Sequence, residues 1–358
     1  MLKKIVFVAY CVLGSFGLQA QETSEQNEVI AQAGEGIFAL LRRNGLNPSL
    51  HFAQFIKLNK DRLGADSSLY VGKVYILPEL PPEADTLTVA KPTVANIPQK
   101  TIPAEVVSKA NEAYEPLLGS AYAKVPIINQ NLQGSVYYLL AGHGGPDPGA
   151  IGKYGPYELS EDEYAYDVTV RLARRLLEHG ATVYIIVQDP NDGIREDNIL
   201  PMDRDEVHYG NREIPRSQKY RLRHRIEEVN KLYIKHKGSY QRMLSIHVDS
   251  RSKGENIDVF FYHHENSPDG KNLAEEIHQT FTNNYKRHQP NRNYFGDVSA
   301  RSSLYVVKYS YPPAVFIELG NIKNTRDQRR FVLADNRQAL ANWITEGLMA
   351  DYKKSASK

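Results

Sequence analysis

Residues 135–150 read Ser135-Val-Tyr-Tyr-Leu-Leu-Ala-Gly-His-Gly-Gly-Pro-Asp-Pro-Gly-Ala150, an apolar run over 136–140 followed by a turn of glycines and prolines around His143. The run has the length and the aromatic, β-branched content of a buried strand. The glycines beside His143 let the backbone turn tightly and leave room next to the imidazole, while Asp147 and Pro148 fix the turn. Outward from this segment the pattern repeats. Helices are expected over about 163–178, 220–236 and 273–285 and near Trp343, and strands over 183–187, 243–246, 259–262, 304–307 and 315–319. Strands alternating with helices predict an α/β fold, an open and mostly parallel sheet with helices on both faces.

In such sheets reactive groups gather beyond the carboxyl ends of the strands. Four titratable residues fall there: His143 after the first strand, Glu161 at the start of the next helix, His247 at the end of Met243-Leu-Ser-Ile-His247, and Glu318 at the end of Ala314-Val-Phe-Ile-Glu318. Two imidazoles and one carboxylate form a donor set suited to catalytic Zn²⁺ with a fourth position open to water, and the remaining carboxylate can act as base. His263-His264 is the rival pair, but neighbouring side chains on a strand point to opposite faces, which disfavours one shared ion.

The 358 residues carry 44 basic and 42 acidic side chains, a net charge of +2 that argues against a dedicated nucleic-acid binder. Residues 1–20 have the pattern of a signal peptide: Lys3 and Lys4, an apolar run over 5–18, and Ala20 before a polar stretch. The run is shorter than the roughly 20 residues a spanning helix needs, so export without stable membrane insertion is expected. Cys11, the only cysteine, lies inside this run. A processed chain would therefore hold no disulfide, cysteine nucleophile or thiolate ligand.

Three zones follow. Residues 28–78 show two short helical faces, with Ile37, Leu40 and Leu41 on the first and Phe52, Phe55 and Ile56 on the second, and then a strand ending at Pro78. Prolines punctuate residues 79–133 as in a semi-rigid tether, with only 104–118 looking helical. Residues 134–352 form the expected catalytic domain. The order of GEGIFALLRRNGL, FIKLNKDRL and LYVGKVYILP in the first zone resembles the LysM domain, a small strand-helix-helix-strand module that binds N-acetylglucosamine-containing glycans. The usual Asp-Thr or Asp-Ser of that family is Glu35-Gly36 here.

GHGGPDPGAIG at 142–152, Ser245-Ile-His-Val-Asp249 and Pro313-Ala-Val-Phe-Ile-Glu-Leu-Gly-Asn321 resemble the motifs of the zinc-dependent N-acetylmuramoyl-L-alanine amidases of the Amidase_3 type, over about 135–352. Leu222 with Arg225 and Asn230 falls on the family's Leu-x-x-Arg helix. The resemblance implies His143, Glu161 and His247 as zinc ligands and Glu318 as general base. The loop over 153–160 is longer than is usual in the family, which leaves Glu158 and Glu163 as alternatives to Glu161; a first-turn, solvated role is the simpler expectation for Glu163. The Thr-Arg pair expected after the second strand is missing, and a polar loop over 189–216 stands in its place. The interval 248–304 is too short for a long inhibitory helical insert. The implied substrate is peptidoglycan, cut between the lactyl group of N-acetylmuramic acid and L-alanine, in the periplasm or at the cell wall, with room for a protein activator. The alternatives are a catalytically silent wall-binding or activating protein and a zinc peptidase acting within the stem peptide.

Overall fold

The computed structural model describes residues 27–32, 36–46, 48–64, 69–78, 112–250 and 255–357. The expected leader and residues 79–111 of the expected tether lie outside them. The described residues fall in two compact units.

The first unit runs β1 (Glu28–Ile30), α1 (Ile37–Arg43), α2 (Pro48–Leu58) and β2 (Val74–Ile76), with β1 and β2 antiparallel. Leu40, Leu41, Phe55 and Tyr75 are completely buried in its small core. The buried Asn59 staples it: its amide donates to the carbonyls of Phe55 and Ile76 at 2.9 and 2.8 Å, and its Oδ1 accepts from Ile76 N–H at 2.7 Å. One side chain thus satisfies both the end of α2 and the edge of β2, which a core this small needs.

The second unit opens with a hairpin, β3 (Glu112–Tyr114) and β4 (Lys124–Pro126), followed by β5 (Ser135–Ala141). A second hairpin, β6 (Ile151–Tyr154) and β7 (Tyr157–Ser160), leads into α3 (Glu161–Glu178) and β8 (Thr182–Ile185). The 189–216 loop is not unstructured: β9 (Val187–Gln188), β10 (Val207–His208) and β11 (Arg212–Glu213) form a three-stranded sheet at its base. Next come α4 (Gln218–Lys235), β12 (Tyr240–Asp249), β13 (Phe260–His263), α5 (Pro268–His288), β14 (Asp297–Ala300), α6 (Tyr305–Tyr309), β15 (Ala314–Asn321), α7 (Thr325–Val332) and α8 (Ala334–Ala356).

The main sheet has the order β14-β13-β15-β12-β5-β8. Every neighbouring pair is parallel except β13 with β15. Strand β5 explains why its sequence is apolar throughout. Tyr137, Leu139 and Ala141 join the core beneath α3, α5, α7 and α8, while Val136, Tyr138 and Leu140 join the core beneath α4 and α6. A strand covered on both faces has no solvent side to mark with polar residues.

Two expectations fail. Residues 304–307 were expected as a strand, but Tyr305–Tyr309 is a short helix: Val306 and Val307 pack against the face of the sheet that α4 covers instead of joining its hydrogen-bonded row. The tether prediction over 79–133 also does not describe 112–133. There, in place of the helix expected to 118, a strand and a 3-10 turn (Pro116–Leu118) form, and Leu118, Tyr122, Val125 and Leu132 are buried in the larger core. Pro116 opens the 3-10 turn and Pro126 ends β4, both packed against α3, a role that proline spacing does not separate from that of a linker.

Candidate active site and metal centre

Strands β5, β12 and β15 are parallel neighbours, so their carboxyl ends open on one side of the sheet. His143 follows β5 by two residues, His247 lies near the end of β12, and Glu318 sits directly beside it on β15 in register. Close approach explains the glycines. A Cβ on Gly142 would lie 2.4 Å from His247 Nδ1, and one on Gly149 would lie 2.7 Å from Glu161 Oε2. His143 itself holds a left-handed backbone (φ 63°), uncommon for a residue with a side chain. Its neighbours restrain it there. Gly144 N–H donates to Asp147 O at 2.8 Å, the His143 carbonyl accepts from Arg225, and His143 Nδ1 is 2.9 Å from Asp147 Oδ2.

The β6–β7 hairpin accounts for the extra length before α3. Its antiparallel register returns Ser160 to Ile151, so the longer loop folds back on itself without shifting the helix start. Glu161 N–H then donates to Ala150 O, and Ala150 N–H donates to Glu161 Oε2, both at 2.9 Å. Of the three candidate glutamates, Glu161 alone joins the two histidines. Glu158 is exposed on the hairpin. Glu163 is not solvated as expected: it is 1% exposed and clamped by Arg195 at 2.7 Å.

The donor atoms of His143, Glu161 and His247 lie within 4.8 Å of one another. His143 Nε2 is 3.3 Å from Glu161 Oε2 and His247 Nδ1 is 2.8 Å from Glu161 Oε1, which also accepts from Val248 N–H at 3.1 Å. Burial opposes charge on all three. For Glu161 the two imidazoles outweigh it and hold the carboxyl well below its usual range. For His143 burial is likewise outweighed, by Asp147 and Glu161, which lift it to about 9, whereas burial keeps His247 below its ordinary value. A carboxylate anion facing two nitrogen atoms is a place made for positive charge.

This donor set fits zinc. Each imidazole has its second nitrogen engaged, His143 Nδ1 by Asp147 and His247 Nε2 by Ser245 Oγ at 3.1 Å, so the nitrogens facing Glu161 are left for an ion. Two nitrogens and one oxygen leave a further position toward a cleft of about 460 Å³ that Glu318 also lines. Two all-carboxylate groups, Glu163 with Asp203 and Glu206 and Asp189 with Asp203 and Asp205, also stand close together. They lack imidazole, and Glu163 is already paired. The rival His263 turns its Nδ1 to the His264 carbonyl at 2.9 Å and belongs to no cluster of three among the described residues.

Several contributors escaped the sequence reading. Ser245 and Phe316 precede His247 and Glu318 by two residues and so share their strand faces; Phe316 stacks on the His247 ring at 4.0 Å. Period two was the available signal for both. Arg221 of α4 binds Asp147, and Glu206 of the 189–216 loop accepts from Gly145 N–H at 2.6 Å, bracing the histidine turn from outside. Nothing local in the sequence connects residues so far apart.

A family model described as Amidase_3, N-acetylmuramoyl-L-alanine amidase, matches residues 138–350. The germination-specific N-acetylmuramoyl-L-alanine amidase of Bacillus subtilis is 23% identical over 222 residues, covering 61% of this chain and 80% of that protein. Among solved structures, the CwlD amidase from Clostridioides difficile, in complex with the GerS lipoprotein, is 20% identical with a TM-score of 0.46, over 61% of this chain and 98% of that one. An N-acetylmuramoyl-L-alanine amidase of Nostoc punctiforme is 19% identical with a TM-score of 0.44, over 62% and 99%.

Proposed function

The chain belongs to the Amidase_3 family of N-acetylmuramoyl-L-alanine amidases, and from this premise we propose that His143, Glu161 and His247 hold a catalytic zinc ion with Glu318 as general base. It is a peptidoglycan hydrolase that cleaves the amide between N-acetylmuramic acid and L-alanine. The observation that carries the site assignment is the mutual approach of the three donors in a cleft lined by Glu318.

Zinc bound there would supply a Lewis acid that lowers the pKa of water toward about 7 and polarises the scissile carbonyl. The remaining work falls to the chain. Glu318, one strand from His247, takes a proton from the attacking water and delivers it to the departing amine of alanine. Asp147 accepts from His143 Nδ1–H and Ser245 from His247 Nε2–H, which fixes the tautomers needed for ligation. Phe316 covers one face of the His247 ring and keeps it from turning.

Family membership sets the place of action at the cell wall. Export through a leader over 1–20, with a periplasmic or wall-associated enzyme as the product, is part of the proposal; no described helix is long and apolar enough to cross a membrane. The first unit is proposed as a LysM-like glycan-binding module, a reading supported by its strand-helix-helix-strand order. A protein activator is a further proposed partner, in keeping with the lipoprotein bound to the Clostridioides difficile relative.

The test is digestion of purified peptidoglycan by the zinc-loaded protein and by Glu318→Gln, with mass analysis of products. Release of intact stem peptides with a new N-terminal alanine, lost in the variant and on chelation, is the expected result. Fragments cut within the stem, or release that survives chelation, would overturn it.

A further inference from the structure

The end of the sheet that carries the active site continues past it. In the register of the strands, His247 lies beside Glu318, Glu318 beside Phe260, and Phe260 beside Asp297. The start of β14 is therefore on the same row as Glu318, two strand spacings or about 10 Å away. The segment leading into β14 and the helix α7 that follows β15 wall a second groove of about 820 Å³, with Tyr154 of the β6–β7 hairpin on its rim.

Its chemistry is one-sided: Arg292, Arg326, Arg329 and Arg330 line it, and no carboxylate does. Two of these are committed. Arg330 pairs with Asp258 and Asp327, and Arg292 pairs with Asp258, although the Arg292 Nε–H finds no hydrogen-bond partner. Arg326 and Arg329 differ. They lie one turn apart on α7, on one face, exposed, and in no ion pair among the described residues. Aromatic residues line the groove as well, among them Trp343 of α8, the only tryptophan of the chain.

We propose that this groove is a second substrate site, in which Arg326 and Arg329 bind the carboxylates of a peptidoglycan stem peptide while another part of the polymer occupies the catalytic cleft. The identity of the ligand rests on the amidase reading. Planar guanidinium groups take carboxylates through paired, charge-assisted hydrogen bonds, and two of them on one helix turn suit a peptide carrying more than one carboxylate. The groove would keep the enzyme on the polymer between cuts.

Trp343 supplies the readout. The zinc-loaded full chain is titrated with a free stem peptide, which has no lactyl amide to cleave, and tryptophan fluorescence is followed. A saturable change is expected, weakened about tenfold or more in Arg326→Glu/Arg329→Glu and in the milder Arg326→Gln/Arg329→Gln, and equally with a peptide whose carboxylates are converted to amides. Melting curves of the variants check that they fold. Unchanged titration in both variants, or undiminished binding of the amidated peptide, would overturn the proposal. So would inorganic phosphate competing at the peptide's own concentration, which would make the groove a phosphate site. No bond is broken in this assay, so a normal titration beside failed peptidoglycan digestion would count against the amidase reading and leave the groove standing.

Discussion

Among the buried carboxylates of helix α3, Glu161 and Asp167 have surroundings that differ in kind. Asp167 is fully buried between arginines: Arg171 Nε donates to it at 2.7 Å, Arg337 Nε at 2.5 Å, and Arg195 N–H at 2.8 Å. The other donors of Arg337 go to backbone carbonyls, and those of Arg171 to the Arg195 carbonyl and to the Gln338 and Glu196 side chains, so that the carbonyls of Arg195 and Asp197 in the 189–216 loop are held. Glu161 instead faces two imidazoles at the wall of an open cleft. Arginine stays protonated at any working pH and ends the matter of charge, so the Asp167 cluster joins α3, α8 and the loop permanently. Imidazole can give up its proton and offer a lone pair, so the Glu161 cluster can exchange protons for a metal ion. One carboxylate is locked between permanent charges, and the other faces groups that can change theirs.

Substitutions can break this contrast. The largest effect is expected for Glu161→Gln, which should abolish zinc binding and reduce peptidoglycan hydrolysis to background while the far-UV spectrum stays native; retained stoichiometric zinc by metal analysis would refute the ligand role. Asp167→Ala should do the reverse. Loss of the one carboxylate that the buried Arg171 and Arg337 share predicts a loss of about 3–5 kcal/mol in chemical denaturation, with zinc still bound by the folded fraction. A loss under 1 kcal/mol would show that the cluster is not the anchor described.

A smaller effect is expected at the support of the site. Asp147→Asn should weaken zinc binding about 10- to 100-fold, measured by chelator competition, with little change in denaturation midpoint. Unaltered affinity would mean that the bond from Asp147 does not orient His143. The smallest effect is acid sensitivity. Burial alone would raise the Asp167 pKa, but Arg171 and Arg337 outweigh it and bring it from 3.8 down to about 2. A depressed carboxylate contributes stability that is complete above its unfolded pKa and lost as pH falls toward the folded one. The wild type should therefore lose stability between about pH 4 and 2 more steeply than Asp167→Asn, and parallel curves would exclude that linkage.

Much of this was legible in the chain. The apolar run of β5 announced a strand of a sheet covered on both faces, and the glycines beside His143 announced a tight turn with room next to the imidazole; that a Cβ at Gly142 or Gly149 would collide with His247 or Glu161 emerged only from the packing. The alternation of strands and helices gave the parallel sheet and with it the place to look for His143, His247 and Glu318. Residues 304–307 were misread because Leu304-Tyr-Val-Val307 has strand composition, yet one turn of helix buries Val306 and Val307 equally well. Proline spacing likewise did not distinguish a tether from the packed strand-turn-strand segment of 112–133.

What the sequence determined by itself is local: the period of each element, the turns, and the residue types able to bind an ion or move a proton. Tertiary structure decided which of them meet. Glu161 over Glu158 or Glu163, the grip of Arg221 on Asp147 and of Glu206 on Gly145, and the arginine groove two strands from Glu318 all depend on register and packing between segments distant in the chain. Such contacts form because burial and charge pairing outweigh the entropy of closing the intervening loops, and that balance belongs to the whole fold rather than to any stretch of residues.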